Sequence, residues 1–417
     1  MSNRFPDHGL ERDALFAEME AAREGDVDWR GGRVNIYTHF AGDEVLEVAK
    51  DASRMFFSEN ALGPTAFPSL KKFETEVISW TLGLLNGSDN ATGNITSGGT
   101  ESIFMALKTA REWGRANKPS VGTAEVIAPY SAHPAFNKGA HFLDMKVTRI
   151  PLRDDFRADV DAVEKAIGPD TVMLVGSAPQ FPHGVFDPIE ELAALARAND
   201  LWLHVDACVG GFIAPFMRRL GHPIPDFDFS VAGVTSISAD LHKYGFTAKG
   251  ASTVLFHDEA LRPHQTFEFD EWSRGHYASP TFAGTRPGGP IAAAWAVLRY
   301  LGEDGYVDLA RQIVEGRDAL IAGIRAIDGL DLVCEPELTI VGYQSTDGLD
   351  IQAIAEAMRE REWFVALAAE PPSIHLGMLT MAHVPVVDEY LADLRDCIGE
   401  VRGGRAAAGP ATVTYGG

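Results

Sequence analysis

The chain has 417 residues, 46% of them apolar and 23% charged, which gives length for two or three domains and composition for a large buried core. A metal- or disulfide-stapled miniprotein and a disordered chain are both excluded. The formal net charge of −23, from 36 Lys and Arg against 59 Asp and Glu, repels phosphate backbones and anionic lipid surfaces, so nucleic acid is not an expected partner.

Residues 1–60 read as an arm laid on a larger body. The first 13 are polar and mixed in charge, without the apolar stretch of a signal peptide. They lead into an acidic, Ala- and Glu-rich helical pattern over 10–24, a turn at Gly31-Gly32-Arg33 and a second helical run over 42–57. Over 69–86 apolar residues recur at helical spacing (Leu70, Phe73, Val77, Trp80, Leu84), and Asn86-Gly87 stops the helix. Short β-branched runs then alternate with helical ones: strands over 125–128, 146–150, 172–175 and 201–205, with helices after Ser131 and over 160–167 and 189–199. That order predicts parallel strands joined by crossovers, an α/β sheet covered on both faces. Two further strands, 233–238 and 252–256, flank a turn that contains Lys243. Helical patterns over 291–301 and 306–327 lead to strands near 330–334 and 338–343, a helix over 351–360 and a last helix over 386–401. The expected organisation is an arm (1–60), a large domain (61–300) and a smaller C-terminal α+β domain (301–417), ending in a frayed Gly/Ala-rich tail after Arg402. No run reaches the ~20 apolar residues that span a bilayer. Cys208, Cys334 and Cys397 are odd in number, far apart and without CxxC spacing, so they read as free thiols and the protein as soluble and cytoplasmic.

Three segments carry chemistry. Thr96-Ser97-Gly98-Gly99-Thr100-Glu101-Ser102 opens the helical run 103–113. A Gly pair with hydroxyls at a helix start lets backbone N–H groups approach an anion while the helix dipole favours its charge. Read alone it is equally an ordinary cap by Thr100 or Ser97, and it lacks the GxxxxGK[ST] spacing of a nucleotide loop. Next, Leu201-Trp202-Leu203-His204-Val205-Asp206-Ala207-Cys208 places Asp206 at the carboxyl end of an apolar strand, where open α/β sheets bind ligands. Alone, Asp206 is also a candidate helix cap, or with His204 part of a metal site that lacks a closely spaced third ligand. Third, Ser236-Ile237-Ser238-Ala239-Asp240-Leu241-His242-Lys243-Tyr244-Gly245 runs from a strand into a turn with adjacent His and Lys. A desolvated Lys in such a turn forms a Schiff base with a carbonyl more readily than a solvated one. Anion cradle, strand-end carboxylate and turn amine, in that order, match the needs of pyridoxal 5′-phosphate: a seat for the phosphate, a partner for the pyridinium nitrogen and an amine for the aldehyde.

Further segments follow in unbroken order over most of 55–380: SAHPAFNK (131–138), GSAPQFPHGVFDPIEE (176–191), HVDACVGGF (204–212), SISADLHKYGFTAKG (236–250), YASPTFAGTRPGG (277–289) and PPSIHL (371–376). On these residues and TSGGTES the chain resembles the fold-type I pyridoxal-phosphate enzymes of the group II decarboxylase superfamily, and within it is most similar to sphingosine-1-phosphate lyases. The resemblance implies a large domain with a mostly parallel seven-stranded sheet, a small C-terminal α+β domain, pyridoxal 5′-phosphate as cofactor and a homodimer with shared active sites. It implies that Lys243 binds the cofactor aldehyde, Asp206 pairs with the pyridinium nitrogen and His133 stacks on the ring. Gly99, Thr100 and His242 would lie around the cofactor phosphate with Ser238 nearby, and Gly284 and Thr285 would reach the cofactor phosphate in the other subunit.

Lyases of this kind hold the substrate phosphate with a Lys after the Schiff-base Lys, a His in an N-P/A-L-H-P segment and a Tyr near the arm. Lys249 matches the first, but Asn60-Ala61-Leu62-Gly63-Pro64 has Gly63 where the His belongs. The Tyr position counts back to His39, with Tyr37 two residues earlier. The expected activity is cleavage of a phosphorylated 2-amino-3-hydroxy compound, a sphingoid-base 1-phosphate above all, to a long-chain aldehyde and phosphoethanolamine. L-Amino-acid decarboxylation is the alternative that Gly63 keeps open. Lys243, Lys249 and the cofactor phosphate are the candidate bases for the C3 hydroxyl. His183 in FPHG either shapes the site or caps a loop, and Cys208 reads as packing.

Overall fold

In a computed structural model of the chain, residues 4–118 and 121–404 are described, and the tail expected to fray lies, from residue 405, outside the described residues. The arm carries α1 (Arg12–Ala22) and α2 (Asp43–Met55), and α3 (Pro68–Leu84) opens the body. α1 buries no side chain, whereas α2 turns Val45 and Ala49, four apart on one face, into the core. Strand and helix then alternate through β1 (Thr92–Thr96), α4 (Gly99–Asn117), β2 (Glu125–Pro129), α5 (Ala135–Phe142), β3 (Lys146–Ile150), α6 (Val160–Ala166), β4 (Thr171–Ser177), α7 (Ile189–Ala198) and β5 (Trp202–Asp206). After α8 (Ala214–Arg219) come β6 (Ser236–Ala239) and β7 (Ser252–Phe256), then α9 (Arg262–Gln265), a hairpin of β8 (Phe267–Phe269) and β9 (Tyr277–Ser279), and the long α10 (Gly288–Arg325). The last elements are β10 (Leu330–Leu332), β11 (Val341–Ser345), α11 (Ile351–Glu360), β12 (Ala366–Ala369), β13 (Pro372–Leu376) and α12 (Val387–Arg402).

Seven strands form one sheet in the order β1-β7-β6-β5-β4-β2-β3. The pairs from β3 across to β6 are parallel, while β7 runs antiparallel to both β6 and β1. The expected mostly parallel sheet is therefore present. β4 and β5 are buried at every residue, as strands covered on both faces must be. β7 reverses direction because its link to β6 is the Lys243 turn and carries no crossover helix. The small C-terminal sheet, β10-β11-β13-β12, is antiparallel throughout, and α11 and α12 pack on each other beside it.

One apolar core runs through both sheets, joining Leu203, Ile237 and Leu255 to Ile313, Ile354 and Leu394. α10 is interrupted at Gly302 (φ 57°, ψ −176°), and its first part meets α3 through Trp295 stacked on Phe73 at 4.6 Å. β1, the β8–β9 hairpin and the β12–β13 pair were not expected from the sequence pattern. Among the described residues no helix is long and apolar enough to cross a membrane.

Candidate active site

β2, β5 and β6 are parallel, so their carboxyl ends share one edge of the sheet and the loops that leave them converge. β6 runs into a tight turn in which the Lys243 N–H donates to the Asp240 carbonyl at 3.3 Å. That turn brings the two side chains together: Lys243 Nζ lies 2.8 Å from Asp240 Oδ2, and His242 Nε2 lies 3.7 Å from the same oxygen. Burial disfavours the ammonium, but the neighbouring anions, Asp240 first, reverse this and raise the Lys243 pKa. Burial likewise opposes the Asp240 charge, and Lys243 and then His242 overcome it, holding the carboxyl below its usual range.

Asp206, at the end of β5, is held differently. A directional chain of hydrogen bonds starts at Trp202 Nε1–H, which donates to Ser236 Oγ at 2.7 Å; Ser236 donates to His204 Nδ1 at 2.8 Å. His204 Nε2–H then donates to Ser238 Oγ at 3.2 Å, and Ser238 donates to Asp206 Oδ1 at 3.3 Å. Strand register makes this possible, because His204 stands opposite Ser236 and Asp206 opposite Ser238. Burial pushes the His204 pKa down to about 4 against the pull of Asp206, so the ring is a neutral link. Both His204 nitrogens are thus engaged by serines, and among the described residues no group of three His, Cys, Asp or Glu is placed to hold a metal. The Cys208 N–H also donates to Asp206 Oδ1, at 3.1 Å, which leaves Oδ2 for a ligand. Burial and the charges of Asp206 and Asp240 raise the Cys208 thiol well above its ordinary pKa, which fits packing rather than nucleophilic attack.

The N-cap of α4 is Gly98, without a side-chain cap, so the first N–H groups of the helix are left for an anion. A Cβ on Gly99 would lie 2.9 Å from both Asp240 Oδ2 and Cys208 Sγ, so glycine alone lets the helix start this close to the Lys243 pair. One on Gly98 would lie 3.4 Å from the His242 ring, whose Nδ1 is buried without a partner. Thr100 is exposed beside them. Glu101 closes the back of this cradle, accepting from the Ser97 N–H at 2.7 Å and the Phe282 N–H at 3.1 Å.

His133, in the loop after β2, accepts from the Ala135 N–H on Nδ1 at 3.1 Å. Burial lowers its pKa, and the charges of Asp206, Lys243 and Asp240 act on the ring. Ser131, two residues earlier, has a buried hydroxyl without a partner. His39 enters from the arm, edge-on to Tyr244 at 5.3 Å, with Nε2 3.2 Å from Met378 Sδ and a solvent-shielded Nδ1 without a partner. Burial, then the charges of Lys249, Lys243 and His242, push its pKa well down. Lys249 is exposed as a residue, yet its ammonium folds back on the His242 carbonyl at 3.1 Å. That desolvation, with the charge of Lys243, pulls its pKa down to about 8. Thr247, two residues before it, has a buried hydroxyl without a partner.

Tyr37 is exposed, with left-handed backbone (φ 71°), and lines with His133 an adjoining cleft of about 1090 Å³. His183 donates to the Glu370 carbonyl at 3.2 Å, stacks on Phe156 at 4.2 Å and lines the same cleft. Gly284 and Thr285 do not join the Lys243 cluster within their own chain. They lie in the loop before α10, Thr285 exposed, and the next residue, Arg286, pairs with Glu74. Gly63 belongs to that edge too, since Asn60 bridges to Pro287 and the Ala61 N–H donates to the Arg286 carbonyl at 2.9 Å.

These residues fit pyridoxal 5′-phosphate. The uncapped α4 start and the orphaned His242 Nδ1 suit a phosphate, Asp206 Oδ2 suits a ring N–H, and Lys243, paired with the Asp240 that lies against Gly99, supplies the amine. Sequence reasoning missed Asp240, whose spacing three residues before Lys243 was the available signal. It also missed the Trp202–Ser236–His204–Ser238 chain, which exists only through strand pairing.

Residues 58–346 match the family model described as the pyridoxal-dependent decarboxylase conserved domain. The chain is 42% identical over 410 residues to a sphingosine-1-phosphate lyase of Arabidopsis thaliana, covering 96% of this chain and 74% of that protein. It is 35% identical over 339 residues to a probable L-tyrosine/L-aspartate decarboxylase of Methanothermobacter thermautotrophicus, covering 81% of this chain and 91% of that one. Among solved structures, the sphingosine-1-phosphate lyase of Burkholderia pseudomallei K96243 superposes with a TM-score of 0.91 at 37% identity, over 97% of this chain and 94% of that one. The chain belongs to the pyridoxal-dependent decarboxylase family, within the group that contains the sphingosine-1-phosphate lyases.

Proposed function

We propose that the protein is a pyridoxal-5′-phosphate-dependent carbon–carbon lyase that cleaves a sphingoid-base 1-phosphate to a long-chain aldehyde and phosphoethanolamine. The observation that carries this reading is a second pair of basic side chains close to Lys243. Lys249 and His39, with its orphaned Nδ1, stand beside the Lys243 cluster and are not needed for the cofactor, whose own phosphate has the α4 cradle and His242. A substrate that brings its own phosphate gives them a role, with His39 taking the part left vacant by Gly63. The lyase relatives support this assignment over the amino-acid decarboxylase alternative.

In this reading Lys243 would carry the cofactor, Asp206 Oδ2 would hold its ring nitrogen, His133 would lie on the ring, and Gly99, Thr100 and His242 would surround its phosphate, while Ser238, expected near the phosphate, has its hydroxyl taken up between His204 and Asp206 and orients the carboxylate instead. When bound, pyridoxal 5′-phosphate supplies an electron sink for the pair released as the substrate Cα–Cβ bond breaks. Lys249 and His39 fix the substrate phosphate. The apolar tail runs into the cleft lined by Tyr37, Phe156, Phe181 and Leu367, whose volume of about 1090 Å³ suits a long chain. A homodimer belongs to the same proposal, with Gly284 and Thr285 reaching the cofactor of the other subunit. The exposed Phe267, Trp272 and Phe282 near that loop support it. A cytoplasmic location is supported by the three unpaired cysteines.

The test is incubation of the cofactor-loaded protein with a sphingoid-base 1-phosphate and mass spectrometry of the products. Long-chain aldehyde and phosphoethanolamine are expected, and neither from Lys243→Ala. Absence of both from the loaded wild-type protein, with carbon dioxide released from an amino acid instead, moves the assignment to the decarboxylases.

A further inference from the structure

We propose that Asp240 is a positioning residue that holds Lys243 as an aimed ammonium in the cofactor-free chain and takes its proton when the amine captures the cofactor aldehyde. This rests on the reading of Lys243 given above. The carboxylate is only 2% exposed, and the sheet fixes it: the Thr253 hydroxyl donates to the Ala239 carbonyl at 2.9 Å, at the strand end just before Asp240. The i,i+3 turn then sets Nζ and Oδ2 2.8 Å apart, and the missing Cβ of Gly99 leaves the carboxylate its room.

Other charged and titratable groups face the amine from every side. Asp206 and Cys208 do so from the end of β5, His133 from the loop after β2, His39 from the arm, and His242 and Lys249 from the turn itself. Among the described residues Asp240 alone has a carboxylate oxygen within hydrogen-bond reach of Nζ. Capture forms a C=N bond between Nζ and the aldehyde carbon and breaks the aldehyde C=O bond. The attacking amine has to be neutral, so the ammonium proton first passes to Asp240. The two protons left on nitrogen depart with the aldehyde oxygen as water. Without Asp240 the amine sits desolvated beside Lys249 with a weaker anionic environment, and it is neutral at lower pH.

The experiment mixes cofactor-free protein with pyridoxal 5′-phosphate across a pH series and follows the visible absorbance of the lysine-bound cofactor. In wild type the capture rate rises with pH. In Asp240→Asn that rise is expected about one to three units lower, with a reduced plateau from the lost aim. Asp240→Glu keeps the charge and is expected to stay on the wild-type profile. Should Asp240→Asn fail to fold, Asp240→Ser carries the same test. Profiles of wild type and the uncharged variant that superimpose after scaling overturn the proposal and leave the role of Lys243 intact. A lysine-type band in Lys243→Ala overturns the reading of Lys243 and the proposal with it.

Discussion

Tyr244 donates its hydroxyl hydrogen bond to the carbonyl oxygen of Leu379 at 2.8 Å, which ties the residue after Lys243 to the C-terminal part of the chain. Thr339 donates to the same phenol oxygen, and burial raises the Tyr244 pKa above its ordinary value. Tyr244→Phe removes the partner of a buried carbonyl and of a buried hydroxyl together. The expected cost is about 1–3 kcal/mol, read as a lower urea midpoint at unchanged slope.

Lys249 is an ammonium below its pKa of about 8 and loses that charge above it. KM for a phosphorylated substrate is therefore expected to rise as pH passes that value. Lys249→Arg, which stays charged, should flatten the rise, and Lys249→Met should raise KM roughly tenfold or more below about pH 8, a gap that narrows as pH passes that value. A pH series of KM for the three proteins checks this.

His39→Ala should raise KM for the phosphorylated substrate about five- to tenfold and change kcat little. The unphosphorylated base, which brings no anion for Nδ1, should show no difference between the two proteins. Competition kinetics with both compounds separate the effects.

Gly99→Ala drives a methyl group against Asp240 and Cys208, both buried and held by their strands. Overpacking of this kind costs about 1–3 kcal/mol, and the crowded cradle should release the cofactor on dialysis, seen as loss of visible absorbance.

Asp187 is 2% exposed and accepts from the Ser177 N–H at 2.8 Å and the Ala158 N–H at 3.0 Å. Burial nevertheless raises its pKa to about 6, above the ~3.9 of an unfolded chain. The fold thus binds this proton more tightly than the unfolded state does. Its contribution to stability is fully present below about pH 4 and is lost as pH rises through about 6. Asp187→Asn does not titrate, so the stability of the variant relative to wild type should increase by about 2–3 kcal/mol between pH 4 and pH 7, measured by urea unfolding at each pH.

The parallel core was legible because its strands are continuous apolar runs between helical patterns, and helices such as α7 and α11 were found to within a residue or two. β1 was not legible: Thr-Gly-Asn-Ile-Thr has one large apolar side chain and becomes a strand by pairing with β7 along its whole length. Lys243, Asp206 and His133 came from motif and position, and the fold brings them together. Asp240 escaped because its meaning depends on a turn that folds it back on Lys243. Ser236 and His204 escaped because polar residues inside an apolar strand acquire partners only from the neighbouring strand.

The hydrogen-bond chain behind Asp206 begins at an indole, which can only donate, and ends at a carboxylate oxygen that accepts. Such a sequence of groups has a single polarity, so neither serine nor the imidazole between them has a second orientation to choose. The hydrogen bonds that reach Asp206 Oδ1 thereby come from neutral groups, and among the described residues the ion pair with Lys243 is left to Asp240. Two carboxylates that would otherwise compete for one lysine are sorted by the kind of partner each is given.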